Sequence, residues 1–377
     1  VFKIKKYSFL SAVFILVVIM LVCSAPGLTD SSDIPSLYQV YEDYFPIGAA
    51  VAVAHWNRTL DSHRDLLEKH FNSVTAENSM KPDALQPREG HFTFNTANDL
   101  VEFAEEENKK VRGHTLIWHN QIPGWFFEDE AGNRIDQKDN ITEKERQIVI
   151  DRMENHITGV MEEYKGRVYA WDVVNEAIDR GTYRETPWLK IIGEEYIAKA
   201  FRFAHKADPE AKLFYNDYNT IQRSQTIYEM VEGLIKDGVP IHGIGMQGHW
   251  DINGPSLFAI ERTIQRFAEL DELTDYDFGI QITELDMSMF SWGDDRRLDE
   301  PTEEMLEKQA QRYEEIFKLF IEYSDIISGV TFWGIADDAT WLDNFPVQNR
   351  DNWPLLFDEN HLPKESFWRI IELPEQK

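Results

Sequence analysis

A single cysteine, Cys23, stands among 377 residues, so no disulfide can form within the chain and stability has to come from a packed core. Positive charge is scarce too: 38 Lys and Arg face 67 Asp and Glu, for a formal charge of −29. A field of that sign repels polyphosphate and anionic headgroups, which excludes nucleic acid and charged membrane surfaces as expected partners and leaves neutral polymers acceptable. No Gly-x-Ser-x-Gly element is present, so the strand-to-helix elbow that carries a hydrolase serine is missing. Long apolar runs are also lacking: the longest, Phe9 to Val22, falls short of the about 20 residues that span a bilayer as a helix.

That run follows Lys3, Lys5 and Lys6 and precedes Cys23-Ser24-Ala25-Pro26, the layout of a secretory signal peptide. The expected organisation is a signal peptide over residues 1–25, an N-terminal extension over 26–35, and one catalytic domain over 36–377. Cleavage near Ser24 or Ala25 removes the only cysteine or leaves it at the edge. A lipid anchor on Cys23, holding the protein at the cell surface, is the rival reading, and Val22 fits poorly the small residue expected before such a cysteine. Otherwise the protein is expected to be secreted, monomeric and free of membrane.

What the sequence does have is aromatic residues, 13% of the chain with 11 Trp. Several stand beside polar residues, where a ring can fill a core or stack on a sugar. Eight short runs have strand character: Ile47 to Val53, Ser73 to Ala76, Val111 to Leu116, Val168 to Val174, Lys212 to Tyr215, Gly243 to Gln247, Phe278 to Thr283 and Gly329 to Trp333. Longer stretches with apolar residues at helical spacing lie between them, such as Ile148-Met153-Ile157-Val160 and Met305-Gln309-Tyr313-Ile316-Phe320. Alternation of this kind implies parallel strands with right-handed crossovers, and eight such units close into a (β/α)8 TIM barrel. An open doubly wound sheet is the alternative. Polar residues favour the barrel, because Glu77-Asn78, His114, Asn175-Glu176, Asn216-Asp217-Tyr218, Gln247-Gly248-His249, Glu284 and Trp333 gather at the C-terminal ends of the runs, the face where barrel active sites lie.

Two glutamates stand out at those ends. Glu176 closes Trp171-Asp-Val-Val-Asn-Glu176 and Glu284 closes Gly279-Ile-Gln-Ile-Thr-Glu284. Hydrolysis of a glycosidic bond needs a proton for the leaving oxygen and a carboxylate on the other side of the anomeric carbon, and two glutamates on rigid strands supply both. Asn175 offers an amide for a sugar 2-hydroxyl. Asp286, two residues beyond Glu284, shares its strand face if the strand continues. His249 is a candidate donor between those two acids, or else a core histidine bonded to backbone.

Seven ordered motifs then carry a resemblance: Thr75-Ala-Glu-Asn-Ser-Met-Lys81, Gly113-His-Thr-Leu-Ile-Trp-His-Asn-Gln121, Trp171-Asp-Val-Val-Asn-Glu176, Tyr215-Asn-Asp-Tyr-Asn219, Gly245-Met-Gln-Gly-His-Trp250, Ile282-Thr-Glu-Leu-Asp286 and Thr331-Phe-Trp-Gly334. Over roughly residues 36 to 372 the chain resembles the glycoside hydrolase family 10 endo-β-1,4-xylanases. The resemblance implies a (β/α)8 barrel that cleaves xylan and xylo-oligosaccharides with retention, Glu176 as acid/base, Glu284 as nucleophile, and about 5 to 5.5 Å between their carboxyl groups. It also implies that Glu77, Asn78, Lys81 and Gln121 bind xylose units, that His114, Asn175 and Gln247 surround the sugar at the cleavage point, and that Trp118, Trp333 and Trp341 wall it. Tyr218 would offer a stacking face toward the leaving side, and His249 with Asp286 would tune Glu284. Xylose lacks the hydroxymethyl group of glucose, so a tryptophan in that space, expected to be Trp341, rejects glucose by clash. An exo-acting xylosidase, a cellulase, or a silent carbohydrate-binding protein on the same barrel remain alternatives.

Other signals carry less. Gly243-Ile-Gly-Met-Gln-Gly248 has the form of a dinucleotide fingerprint, but loop residues follow where a helix should open. His114, His119 and His249 lack metal-ligand spacing. Neither a cofactor nor a metal is expected.

Overall fold

The computed structural model describes residues 34–54 and 58–374. The signal peptide expected over 1–25, Cys23 with it, lies outside the described residues. The described residues from Ser36 onward form one compact unit. Eight strands, β1 (Ile47–Val51), β2 (Ser73–Ala76), β3 (Lys110–Ile117), β4 (Ala170–Asn175), β5 (Lys212–Asp217), β6 (Gly243–Met246), β7 (Gly279–Ser288) and β8 (Ile327–Phe332), pair with their neighbours in parallel. Strand β8 pairs with both β7 and β1, so the sheet closes on itself. This is the (β/α)8 barrel, and an open sheet is excluded.

Every residue of β2, β4 and β6 is buried, as expected of strands with barrel interior on one side and helices on the other. The enclosing helices are α1 (Arg64–His70), α2 (Asn95–Glu106), α3 (Glu143–Glu163), α4 (Glu195–Ala207), α5 (Thr220–Lys236), α6 (Leu257–Ala268), α7 (Glu303–Glu322) and α8 (Glu365–Ile371). Each long helix buries one stripe: α4 turns Tyr196, Ile197, Ala200, Phe201 and Ala204 inward, at the three- and four-residue spacing of one helix face. Their starts are encoded locally. Thr142 and Glu145 form a reciprocal capping box on α3, and the Ser256 and Thr302 hydroxyls cap α6 and α7. Among the described residues no helix is long and apolar enough to cross a membrane.

The barrel interior is not wholly apolar. Arg112 of β3 is fully buried; it pairs with Asp172 of β4 and donates from Nη1 to Gln281 Oε1 of β7 over 2.6 Å. Its guanidinium also lies 4.5 Å from the centroid of the Phe214 ring. The next residue must be glycine, because a Cβ on Gly113 would stand 2.1 Å from the Trp171 ring.

Most strand ends shift by one or two residues from the sequence reading, and two differences bear on the cleft. A strand stopping at Thr283 would put Glu284 just beyond its end, whereas β7 continues to Ser288 with Glu284, Asp286 and Ser288 all buried. Polar side chains here face a walled cleft, so they do not mark where the strand stops. His249 was expected to end β6. That strand instead ends at Met246; Gly248 turns the chain at φ +82°, and His249–Asp251 forms a separate strand whose His249 pairs with Asp286 of β7. A short ribbon, Ile178–Asp179 with Thr182–Tyr183, was not anticipated; Arg180 and Gly181 both have positive φ at its turn, as a tight hairpin requires.

Candidate active site

Glu176 follows the last residue of β4 with φ +56°, a conformation that costs a non-glycine residue energy unless its surroundings enforce it. They do so on both sides. The Glu176 N–H donates to the Asn216 carbonyl and Arg184 Nε donates to the Glu176 carbonyl, each over 2.8 Å. The next two amides, Ala177 and Ile178, donate to the Tyr215 hydroxyl over 3.1 and 3.2 Å, and that hydroxyl donates to Asp217. The carboxylate thus held accepts from Gln247 Nε2 at one oxygen and from Trp118 Nε1 at the other, both over 3.0 Å.

Glu284 is 4% exposed. Its Oε1 accepts from Asn216 Nδ2 over 2.8 Å, and its Oε2 lies 3.1 Å from His249 Nε2. The other ring nitrogen of His249 is 2.8 Å from Asp286 Oδ2, which also accepts from Trp341 Nε1 over 2.8 Å. Burial alone would push Glu284 toward its neutral form, but the His249 hydrogen bond, the nearby His114 and His249 rings and the Asn216 amide outweigh it and bring the group down to about 2. Burial opposes charge on His249 as well, yet Asp286 and Glu284 raise it to about 10. An imidazolium between two carboxylates resolves the expected crowding of Glu284 and Asp286.

Asn216 links the two glutamates. Its Nδ2 must donate to the Glu284 carboxylate, so the Asn175 atom 2.9 Å from that nitrogen has to be oxygen. The Asn175 amide NH2 then lies 3.3 Å from Trp118 Nε1, a donor with which it cannot bond. Gln247 completes the chain, reaching Glu176 over 3.0 Å and Asn175 Oδ1 over 3.4 Å.

A second cluster lies along the cleft. Lys81 is buried and donates to Asn78 Oδ1 over 3.0 Å and Gln121 Oε1 over 2.8 Å, with its Nζ 5.0 Å from the Trp118 ring centroid. Asn78 Nδ2 donates to Glu77 Oε1 over 3.1 Å. Burial raises Glu77 and lowers Lys81, disfavouring the charged form of each, and the attraction between the two opposes that shift. His114, oriented by Asp172 Oδ2 at 2.9 Å from Nδ1, packs edge-on to Trp333 with 5.4 Å between centroids. Trp341 lies 4.9 Å from the His249 ring and stacks on Phe345 at 5.1 Å. Tyr218 receives Arg184 Nη2 on its hydroxyl over 2.8 Å, and the Arg223 guanidinium sits 4.1 Å from its ring centroid. Arg184 thereby connects Tyr218 to Glu176. Among the described residues no three His, Asp or Glu ligand atoms converge within this cleft.

All the residues singled out in the sequence are thus joined by direct contacts or one shared neighbour. Others were not singled out. Asn216 stood within a quoted motif, and only the two-sided bonding of its amide reveals its position between the glutamates. Arg184 follows a hairpin with no sequence pattern, Tyr215 reads as an ordinary strand aromatic, and Asp172 is a charged residue inside an apolar run. Only Asp172 could have been found beforehand, because a charge inside a buried strand needs a partner.

Comparison with known proteins matches the model of glycosyl hydrolase family 10 over residues 36–373. An endo-1,4-beta-xylanase of Geobacillus stearothermophilus is 50% identical over 350 residues, covering 91% of this chain and 99% of that protein. The crystal structure of xylanase XynB from Paenibacillus barcinonensis, complexed with a conduramine derivative, is 48% identical with a TM-score of 0.83, covering 90% of this chain and 99% of the other. Xylanase B from Clostridium stercorarium F9 superimposes with a TM-score of 0.85 at 43% identity, over 90% of this chain and 100% of its own.

Proposed function

The chain belongs to glycosyl hydrolase family 10 and is a retaining endo-1,4-β-xylanase, and from that premise we propose that Glu284 is its nucleophile and Glu176 its acid/base. The observation that carries the assignment is the unequal treatment of the two carboxyl groups. Glu284 is held ionised by a cation and an amide, which suits attack. Glu176 is oriented by two N–H donors, and the nearby His119 ring, 3.9 Å away, is pushed down to about 4 mainly by burial and so stays neutral, which suits a group that must gain and lose a proton.

In the first step a Glu284 oxygen bonds to the anomeric carbon while the glycosidic C–O bond breaks, and the departing oxygen takes the proton of Glu176. In the second, Glu176 takes a proton from water as that water attacks the anomeric carbon from the vacated side. The ester bond breaks and Glu284 regains its charge. Two inversions give retention.

The remaining roles follow the contacts. Asn175 presents its NH2 to the 2-hydroxyl of the sugar undergoing cleavage, where a bond strengthens as the oxocarbenium-like state forms. His114 and Gln247 line that sugar, with Trp118, Trp333 and Trp341 around it. Glu77, Asn78, Lys81 and Gln121 bind the units on the non-reducing side, and Tyr218 stacks on the leaving side. The lysine-tipped apolar segment over residues 1–25 directs the enzyme out of the cell, where it meets its polymer as a monomer.

Glu284→Ala tests the assignment. Release of reducing ends from xylan should vanish in a folded variant, and azide should restore cleavage of an activated xyloside, giving the inverted glycosyl azide. Undiminished turnover, or an azide adduct of retained configuration, would show that Glu284 is not the nucleophile.

A further inference from the structure

Three side chains from distant parts of the sequence, none of them in the network described above, also meet. His63 lies between the helical turn Thr59–Ser62 and α1; Asp338 lies in the turn Asp337–Ala339 after β8; His361 lies in the loop that precedes α8. His63 Nε2 is 2.8 Å from Asp338 Oδ1, and His361 Nε2 is 3.4 Å from Asp338 Oδ2. The two imidazole rings are tilted by 37° with centroids 4.3 Å apart. One ligand atom from each residue falls within 4.8 Å of the others.

We propose that His63, Asp338 and His361 form a binding site for a divalent transition cation such as Zn2+, outside the network around the two glutamates. Two imidazole nitrogens and a carboxylate oxygen suit zinc, which takes N and O ligands at about 2.0 to 2.2 Å in a tetrahedron, where adjacent ligands stand roughly 3.3 Å apart. The 3.4 Å from His361 Nε2 to Asp338 Oδ2 already has that value; His63 Nε2 touches the other oxygen, 2.8 Å from Oδ1, so a rotation of the carboxylate would present one oxygen to both rings. Three protein ligands leave the fourth position to water, reached through the partly exposed side formed by His361 and Asp338, whose side chains are 33% and 35% exposed.

Two further features fit an ion. His63 is 2% exposed, and its Nδ1 lies 2.7 Å from Ser62 Oγ, the partner that fixes a ligating ring so that the other nitrogen faces the metal. His361 holds φ +63°, a left-handed backbone that brings its ring back over Asp338. Calcium is a poor match, because it seeks six to eight oxygens. The ion would tie the start of α1 to the segment that carries Trp341 and to the loop before α8.

The test uses the full enzyme freed of metal by chelation. Thermal unfolding is followed with ZnCl2, with CaCl2 and with neither, and bound metal is counted after dialysis. Zinc at a hundredfold excess over its Kd should raise Tm by about 4 °C for a chain of this size, with one zinc per chain and no response to calcium. His361→Gln and Asp338→Asn, both at partly exposed positions, should fold as the parent does and lose both the zinc and the shift. No bound zinc or no rise in the parent, or a rise that survives in either variant, overturns the site.

Discussion

His249 Nε2 stands 3.1 Å from Glu284 Oε2, so the carboxylate proposed as nucleophile is held against a cation that is itself 20% exposed. The ring's other nitrogen is committed to Asp286. One positive charge between two negative ones lets Glu284 stay ionised at 4% exposure.

Replacing that cation should move the pH profile. In His249→Gln, burial of Glu284 is no longer offset by the imidazolium, and the acid limb set by Glu284 in kcat/KM should move up by about one pH unit or more. A profile measured on an aryl xyloside with an acid limb in the parent's position would contradict the arrangement.

Stability should follow the same groups. Glu284 is lowered from 4.5 to about 2, so its contribution is present above pH 4.5 and is lost as pH falls through about 2. His249 is raised from 6.5 to about 10, so its contribution is complete below pH 6.5 and disappears as pH rises through about 10. The difference in urea midpoint between the parent and His249→Gln should therefore be greatest from pH 4.5 to 6.5 and shrink on either side.

Inside the barrel, Arg112→Met removes the partner of Asp172 and leaves that carboxylate buried. A loss of about 3–5 kcal/mol is expected, read as a lower midpoint in denaturant. Because Asp172 also orients His114, activity should decline as well.

Tyr215→Phe strips the hydroxyl that receives the Ala177 and Ile178 amides behind Glu176. The unsatisfied amides should cost about 1–3 kcal/mol. Loss of their anchor should lower kcat about tenfold through misplacement of Glu176, with KM on a short xyloside little changed. An equal change in both constants would point to a binding role instead.

Trp341→Ala should open space for a hydroxymethyl group. The preference for aryl xylobioside over aryl cellobioside, measured as a ratio of kcat/KM, should fall about tenfold, within the roughly 10- to 200-fold that one small substituent commands. An unchanged ratio would place the exclusion of glucose elsewhere.

Much of this molecule can be read from its sequence. Eight strands and their intervening helices appear because parallel strands buried on both faces and helices buried on one leave different apolar periods, as in β4 and α4. The glutamates were legible because a carboxylate closing a buried apolar run needs a reason to be there. Strand ends in the cleft were not: Glu284, Asp286 and Ser288 look like loop residues, and only the enclosed cleft above them explains their burial in β7. Arg184 and the ribbon before it were equally silent, since their place depends on contact with Tyr218 and Glu176 rather than on any local pattern. The trio of His63, Asp338 and His361 is a product of barrel closure, which alone brings the first and last units together.

Strand β7 continues past Glu284 through an irregularity in its pairing with β8 between Ile282 and Leu285; the Glu284 N–H donates to the Gln247 carbonyl on one side, and the Leu285 carbonyl accepts from the Trp333 N–H on the other. With its backbone so anchored and its two oxygens on Asn216 and His249, the Glu284 carboxylate has little room to travel. With Glu284 as the proposed nucleophile, the distance to the anomeric carbon before the bond forms would be covered mainly by the sugar, its ring moving down onto a nearly stationary glutamate. The cleft must therefore grip the neighbouring xylose units firmly and leave the central ring room to move.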